Sequence, residues 1–358
     1  MKIVQIFPGK IWGGAEQYVL DLGFHLIELG HDVVFVAIDS PQIRKCLSTI
    51  NDVHFLPFGL FKKRTLADLI YIAKNADVIH IHDFQFLPYV CKVKQQIKDK
   101  SLKIIATRHI ARGNMIMPWK RKYFSQIHRL VFVSNLAKSL WIEYNCWFDK
   151  NRCVVIHNSI PEYMSDKDGL SLRRTFNISS SVPLLVFSGR VRKSKGCELI
   201  VNALGKLRDC DFSLVFIGNP KPLDYNEKLM SIAKMNGIEH KIHFFGFTLQ
   251  ARLLIQEADV GLAPSLVREA CPLSPMEFMQ NGVCVIASGN GAQKEYIESG
   301  VNGILINTKS VDELALAIRK VIKEPEYRNI IAQNGKRYFV ERMQYKTFIS
   351  KIIDIYFN

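Results

Sequence analysis

The feature that most constrains this chain is an alternation, run twice, of short apolar stretches with stretches of helical period. Parallel strands need a crossover between them, so strand-helix-strand repetition predicts parallel sheets covered by helices. In the first half the strand-like runs are K-I-V-Q-I-F (2–7), D-V-V-F-V-A-I (32–38), A-D-V-I-H-I-H-D (76–83), K-I-I-A-T-R-H (103–109), R-L-V-F-V-S (129–134) and C-V-V-I-H-N-S (153–159). After the first run, Val19, Leu20, Leu22, Leu26, Ile27 and Leu29 recur near a 3.6-residue period and stop at Gly30, which predicts an amphipathic helix. From Pro161 to Pro183 the polarity rises and the period is lost; P-E-Y-M-S-D-K-D-G and N-I-S-S-S-V-P read as a linker. The alternation then restarts, with runs at 183–190, 212–218, 241–247, 260–263, 283–288 and 303–307. The expectation is an α/β protein with two Rossmann-like domains, 1–165 and 166–340, facing each other across a ligand cleft, and an amphipathic helix over 341–358. A length of 358 residues suits two such domains.

Composition narrows the function. With 48% hydrophobic and 23% charged residues, both halves can bury a core. The eight cysteines form no C-x-x-C pair and no metal-ligand spacing, which reads as a reducing compartment. The N-terminus reads as a first strand, broken by Pro8-Gly9, and not as a signal peptide. No run approaches the roughly 18 apolar residues of a membrane span. A net charge of +15 calls for an anionic partner, yet no nucleic-acid-binding module is recognisable. Nine Lys/Arg and no Asp/Glu lie between Lys100 and Ile142, interleaved with apolar residues in N-M-I-M-P-W-K-R-K-Y-F. That pattern fits either an anionic membrane surface or a solvated basic face.

Four segments carry candidate chemistry. Gly13-Gly14 follow the first strand and open a helix, without the G-x-G-x-x-G fingerprint; a tight turn or a close approach to phosphate both fit. His80, His82 and Asp83 stand at a strand's C-terminal end, where parallel sheets bind ligands, and no third metal ligand accompanies H-x-H. S-G-R-V-R-K-S-K-G places Arg190 and Lys195 in a strand-to-helix loop, able to clamp a diphosphate or simply to be solvated. P-S-L-V-R-E-A-C-P-L-S-P-M-E sets Glu269 and Glu277 eight positions apart at a loop-to-helix junction. There Ser274 is the expected N-cap, Pro275 the first helical residue, Glu277 a capping-box partner and Asn281-Gly282 the stop.

These segments, in this order over almost the whole chain, resemble retaining family 4 glycosyltransferases of the GT-B fold. E-A-C-P-L-S-P-M-E is similar to that family's E-x7-E signature, G-G-A-E (13–16) to its glycine loop, D-V-I-H-I-H to its D-x-(I/V)-H-x-H strand, and G-R-V-R-K-S-K-G to its G-R-x-x-x-x-K-G loop. The resemblance implies transfer of a sugar from a nucleoside-diphosphate sugar, UDP favoured and GDP second. The acceptor would be a glycan or lipid-linked molecule of bacterial-type surface polysaccharide synthesis, lipopolysaccharide included. It implies His109, Glu269, Arg190 and Lys195 as catalytic residues. Gly14, Arg190, Lys195, Gly246, Phe247, Glu269, Cys271, Leu273, Ser274 and Glu277 would bind the donor, with Glu269 on the sugar hydroxyls and Glu277 on the ribose. Glu16, His82, Arg108 and His109 would meet the acceptor. No metal and no cofactor are expected, the helix over 341–358 would cross back to the first domain, and the location implied is cytoplasmic, peripheral at the inner face of the membrane. Two departures stand out: Ala270-Cys271-Pro272 replaces the usual G-F-G, and Ser159 replaces a glycine after Asn158. A sugar-nucleotide epimerase of the same fold and a non-catalytic basic binding protein are the alternatives.

Overall fold

The computed structural model describes residues 1–57, 63–98, 101–162 and 169–358. Contacts divide the chain into two units, 1–158 with 345–358, and 159–344. The expected boundary at 165/166 lies outside the described residues. The expected limit at 340/341 falls inside a helix, Pro325–Arg342, and the chain changes unit after Gln344.

The first unit holds seven parallel strands: β1 (Lys2–Ile6), β2 (Asp32–Ile38), β3 (Val53–Leu56), β4 (Val78–Ile81), β5 (Lys103–Arg108), β6 (Arg129–Phe132) and β7 (Cys153–Val155). Their order is β3-β2-β1-β4-β5-β6-β7. The sheet is covered on both faces, so β1 and β4 read as nearly continuous apolar runs whose residues are almost all buried. Sequence reading missed β3, V-H-F-L, a four-residue edge strand with only one buried position; too few residues repeat there for a period to show. The last helix, Tyr345–Phe357, belongs to this unit. Phe348, Ile349, Ile352, Ile355 and Tyr356 form its buried stripe, spaced to one helical face. Phe348 packs on Tyr18 with ring centroids 5.4 Å apart, and Lys103 Nζ donates to the carbonyls of Tyr356 (3.1 Å) and Phe357 (2.6 Å). A cation at the end of a helix also complements its dipole.

The second unit holds β8 (Leu184–Ser188), β9 (Ser213–Ile217), β10 (Ile242–Gly246), β11 (Val260–Ala263), β12 (Cys284–Ser288) and β13 (Ile304–Ile306), in the order β10-β9-β8-β11-β12-β13. Its core is built from the inner faces of these strands and of helices Cys197–Gly205, Tyr225–Met235 and Val311–Lys323. In both units the strand order reverses beside the first strand, between β1 and β4 and between β8 and β11. Loops leaving the C-terminal ends of those neighbours diverge to opposite faces, which opens a ligand crevice.

Candidate active site

In the second unit the two loops at the reversal point are joined. The loop after β8 carries Arg190, Arg192 and Lys195; the loop after β11 carries Ser265 and Glu269. The Leu266 amide donates to the Ser194 carbonyl at 2.9 Å, and Ser265 Oγ lies 3.1 Å from the same oxygen. Gly196, at φ +78°, lets the chains touch: a Cβ there would lie 2.0 Å from the Pro264 carbonyl oxygen. Across this seam Lys195 Nζ donates to Glu269 Oε1 at 2.7 Å, and the Ser265 hydroxyl to the same oxygen at 2.5 Å. Burial would push the Glu269 carboxyl up. The charge and hydrogen bond of Lys195, the Ser265 hydroxyl and the Arg190 charge outweigh it and hold the carboxyl below its usual range. Arg192 is lowered by burial and by Arg190, with Glu269 opposing. The site is therefore a cationic loop locked to an ionised carboxylate.

The helix of the two-glutamate segment begins earlier than expected. It spans Leu273–Gln280 with Pro272 as N-cap, and Ser274 makes no cap. Proline suits that place: its ring fixes φ near the observed −67°, and it has no N–H to leave unpaired. Ser274 thus becomes the second helical residue, and Glu277 moves to the second turn, out of capping-box reach. Its carboxylate instead takes Arg252 Nε at 2.7 Å, both residues being buried. Since Pro272 and Pro275 carry no N–H, the first turn presents the amides of Leu273 and Ser274 only. The helix stops where expected, with Gly282 N–H on the Met279 carbonyl (3.0 Å) and Val283 N–H on that of Phe278 (2.9 Å).

The remaining second-unit candidates sort by depth. Phe244, half-buried, stacks on Phe216 at 5.3 Å and packs against the core; Gly246 and Phe247 are half-buried where β10 ends. Cys271 is buried, so a ligand would meet its backbone. Sequence reading missed Ser265 and Arg252. Neither stands in a pattern of its own, and only the fold brings them to the two glutamates.

In the first unit the histidines form one hydrogen-bonded chain. His80 lies between Thr107 Oγ1 and the Tyr356 hydroxyl, 2.7 Å from each. Gln5 Nε2 donates to that hydroxyl at 3.0 Å, and His82 Nε2 donates to Gln5 Oε1 at 2.8 Å. His82 Nδ1 is 3.1 Å from His109 Nε2. His82 is buried with both ring nitrogens engaged, so it lies beneath His109, which is half-buried against the edge of Tyr18. Burial lowers His80 and His109 to about 3 and His82 well below its usual value, so all three rings are neutral. Among the described residues no group of three or more His, Cys, Asp or Glu could hold a metal ion.

Arg108 differs from expectation. It is buried, donates to the Arg112 carbonyl and to Asn114 Oδ1 (2.8 Å), and lies 5.3 Å from the Phe84 ring, with burial lowering it to about 10. Its Nη2 is spent on the loop after His109, which it holds in place. Glu16 is buried in the first turn of the helix that Gly14 opens, against the Gly9 loop.

Two Rossmann-like domains, the second with a basic loop joined to a carboxylate loop at its reversal point, define a GT-B glycosyltransferase. Comparison with known proteins agrees. Residues 12–162 match the family described as Glycosyltransferase Family 4, and residues 171–338 that described as Glycosyl transferases group 1. The chain belongs to the family 4 glycosyltransferases. An uncharacterized glycosyltransferase of Methanocaldococcus jannaschii is 26% identical, the alignment covering 99% of this chain and 98% of the relative. The lipopolysaccharide 1,2-N-acetylglucosaminetransferase of Salmonella typhimurium is 28% identical over 46% of each chain. Among solved structures, Anabaena HepE in complex with UDP and glucose superposes with a TM-score of 0.82 at 19% identity, covering 99% of this chain and 98% of that one.

Proposed function

We propose that this glycosyltransferase moves a sugar, with retention of configuration, from a UDP-sugar to a glycan or lipid-linked acceptor of surface polysaccharide synthesis. The observation that carries this reading is the Lys195–Glu269 pair beside Arg190 and the amides of Leu273 and Ser274. Cations and helix amides together suit a diphosphate, whose charge grows as the sugar bond breaks. In this reading Arg190 and Lys195 hold the leaving diphosphate. Lys195 and Ser265 both occupy Oε1 of Glu269, so its second oxygen accepts from a sugar hydroxyl. Glu277, oriented by Arg252, takes the ribose, and Gly246 and Phe247 meet the base. No metal is required where these groups neutralise the phosphates. In the first unit Gly14, Glu16 and His109 are the ligand-facing residues, with His82 and Arg108 supporting His109 and its loop. The solved UDP complex of a similar fold supports the choice of nucleotide.

Thermal shift with UDP, GDP, ADP and their sugars tests the donor site. A ligand at a hundred times its Kd stabilises by about 2.7 kcal/mol. The expected result is a shift with uridine nucleotides, weakened in Lys195→Gln. No shift with any nucleotide, or an equal shift in the variant, refutes it. The anomeric configuration of the product, read by NMR, tests retention.

One further observation supports a location at the inner face of the cytoplasmic membrane. Ile110, Met115, Met117 and Trp119 are exposed in the same short segment as the exposed Arg112, Lys120 and Lys122. Each basic residue near an anionic surface contributes about 1 kcal/mol. Among the described residues no helix is long and apolar enough to cross a membrane. Phosphatidylserine vesicles are expected to bind the protein, and to lose it when Lys120 and Lys122 become Gln and Trp119 becomes Ala. Unchanged partitioning of that variant refutes the surface.

A further inference from the structure

We propose that Tyr356, on the chain's last helix, is a positioning residue for His109: it holds the direction of the buried hydrogen-bond chain and so decides whether the Nδ1 that His109 presents to ligand accepts or donates. The inference rests on the reading that His109 faces the reacting sugar or acceptor.

The argument follows the protons. Gln5 can face its neighbours in two ways, because its amide has one donating and one accepting end. Here Nε2 donates to the Tyr356 hydroxyl at 3.0 Å, while Oε1 accepts from His82 Nε2 at 2.8 Å. His82 is neutral, so its Nδ1 carries only a lone pair and must accept from His109 Nε2–H across 3.1 Å. His109 Nδ1 is then left as an acceptor, suited to take a hydrogen bond from a sugar or acceptor hydroxyl. With Gln5 reversed every bond inverts, and His109 would present an N–H instead.

Tyr356 holds Gln5 in the first of these. Its oxygen accepts from Gln5 Nε2, so its single proton goes to His80 Nδ1, 2.7 Å away. His80 Nε2 then donates to Thr107 Oγ1 at 2.7 Å. Thr107, His80, Tyr356, Gln5 and His82 are each 0–2% exposed, so no water replaces a lost partner: without the Tyr356 oxygen the NH₂ end of Gln5 loses its acceptor and the amide is no longer tied to this direction. The anchoring of the helix end by Lys103 keeps Tyr356 in register.

The test is a double-mutant cycle of Tyr356→Phe and His109→Ala in sugar transfer, with NMR of the imidazole nitrogens. Tyr356→Phe alone is expected to lower kcat about fivefold, the worth of one ordinary hydrogen bond, at unchanged donor KM. In the His109→Ala background it is expected to cost nothing more. A purely structural role would give independent, additive losses, and additivity overturns the proposal. The ring-nitrogen signals are expected to show a protonated Nε2 on His109 in the wild type and a second, Nδ1-protonated population in Tyr356→Phe. Identical His109 signals in the two proteins overturn it as well. Gln5→Met interrupts the chain at its other link and is expected to repeat both results if Tyr356→Phe folds poorly. Should His109→Ala leave transfer intact, the functional reading of His109 fails, while the NMR comparison still decides the relay.

Discussion

A wholly buried, neutral imidazole makes the first unit sensitive to mild acid. His80 is 0% exposed, and burial together with the neighbouring His109 lowers it to about 3. In the unfolded chain it titrates near its ordinary 6.5. Between those values the unfolded chain binds a proton that the folded one refuses. The stability is therefore whole above about pH 6.5 and drains away as the pH falls towards 3. At pH 5.5, one unit below the unfolded value, His80 alone costs on the order of 1 kcal/mol. His82 is lowered in the same direction and adds to the loss. The four tryptophans, Trp12, Trp119, Trp141 and Trp147, all lie in the first unit, so tryptophan fluorescence in urea follows that unit alone. The comparison is confined to pH 7 down to 5.5, above the carboxylate range, because Asp83 is raised by burial and works the other way. His31 and His128 are also lowered, so the decisive quantity is the difference between wild type and His80→Gln. The variant is expected to lose on the order of 1 kcal/mol less than the wild type over this interval. Equal losses would mean that His80 is not a neutral buried ring, and the reasoning would fail.

Two further outcomes follow from the second unit. Glu277→Ala leaves Arg252 buried without its carboxylate, and is expected to destabilise the unit by about 3–5 kcal/mol in urea unfolding followed by circular dichroism. A loss below about 1 kcal/mol would show that the pair is not buried in solution. Gly196→Ala combines a left-handed backbone with a collision at the Pro264 carbonyl. It is expected to part the two loops and abolish the nucleotide-induced thermal shift. Retention of the full shift would show that the seam is not needed for binding.

How much was legible depended on how far apart the interacting residues lie in sequence. The strands of the second sheet were readable because buried parallel strands are continuous apolar runs, and β3 was not because it is short and at an edge. Glu269, Lys195 and Arg190 were readable as motif residues, since each sits where a strand ends and a helix begins. The N-cap was misplaced by two residues: Ser274-Pro275 offers a good local start, but the backbone already turns at Pro272. Glu277 had a local partner on paper and a distant one in the fold, Arg252, because a buried carboxylate gains more from a buried guanidinium than from its own helix amides.

The sequence by itself determined the two-sheet architecture and which strand ends carry the motif residues, because period and chain direction are local properties. Tertiary structure alone decided which side chains share a proton or a charge. Lys195 and Glu269 lie 74 residues apart, Gln5 and Tyr356 351 apart. Such pairs exist only once strand order has been chosen and the last helix has docked on the first sheet. Their strength comes from burial, which removes competing water and leaves each polar group one partner to find.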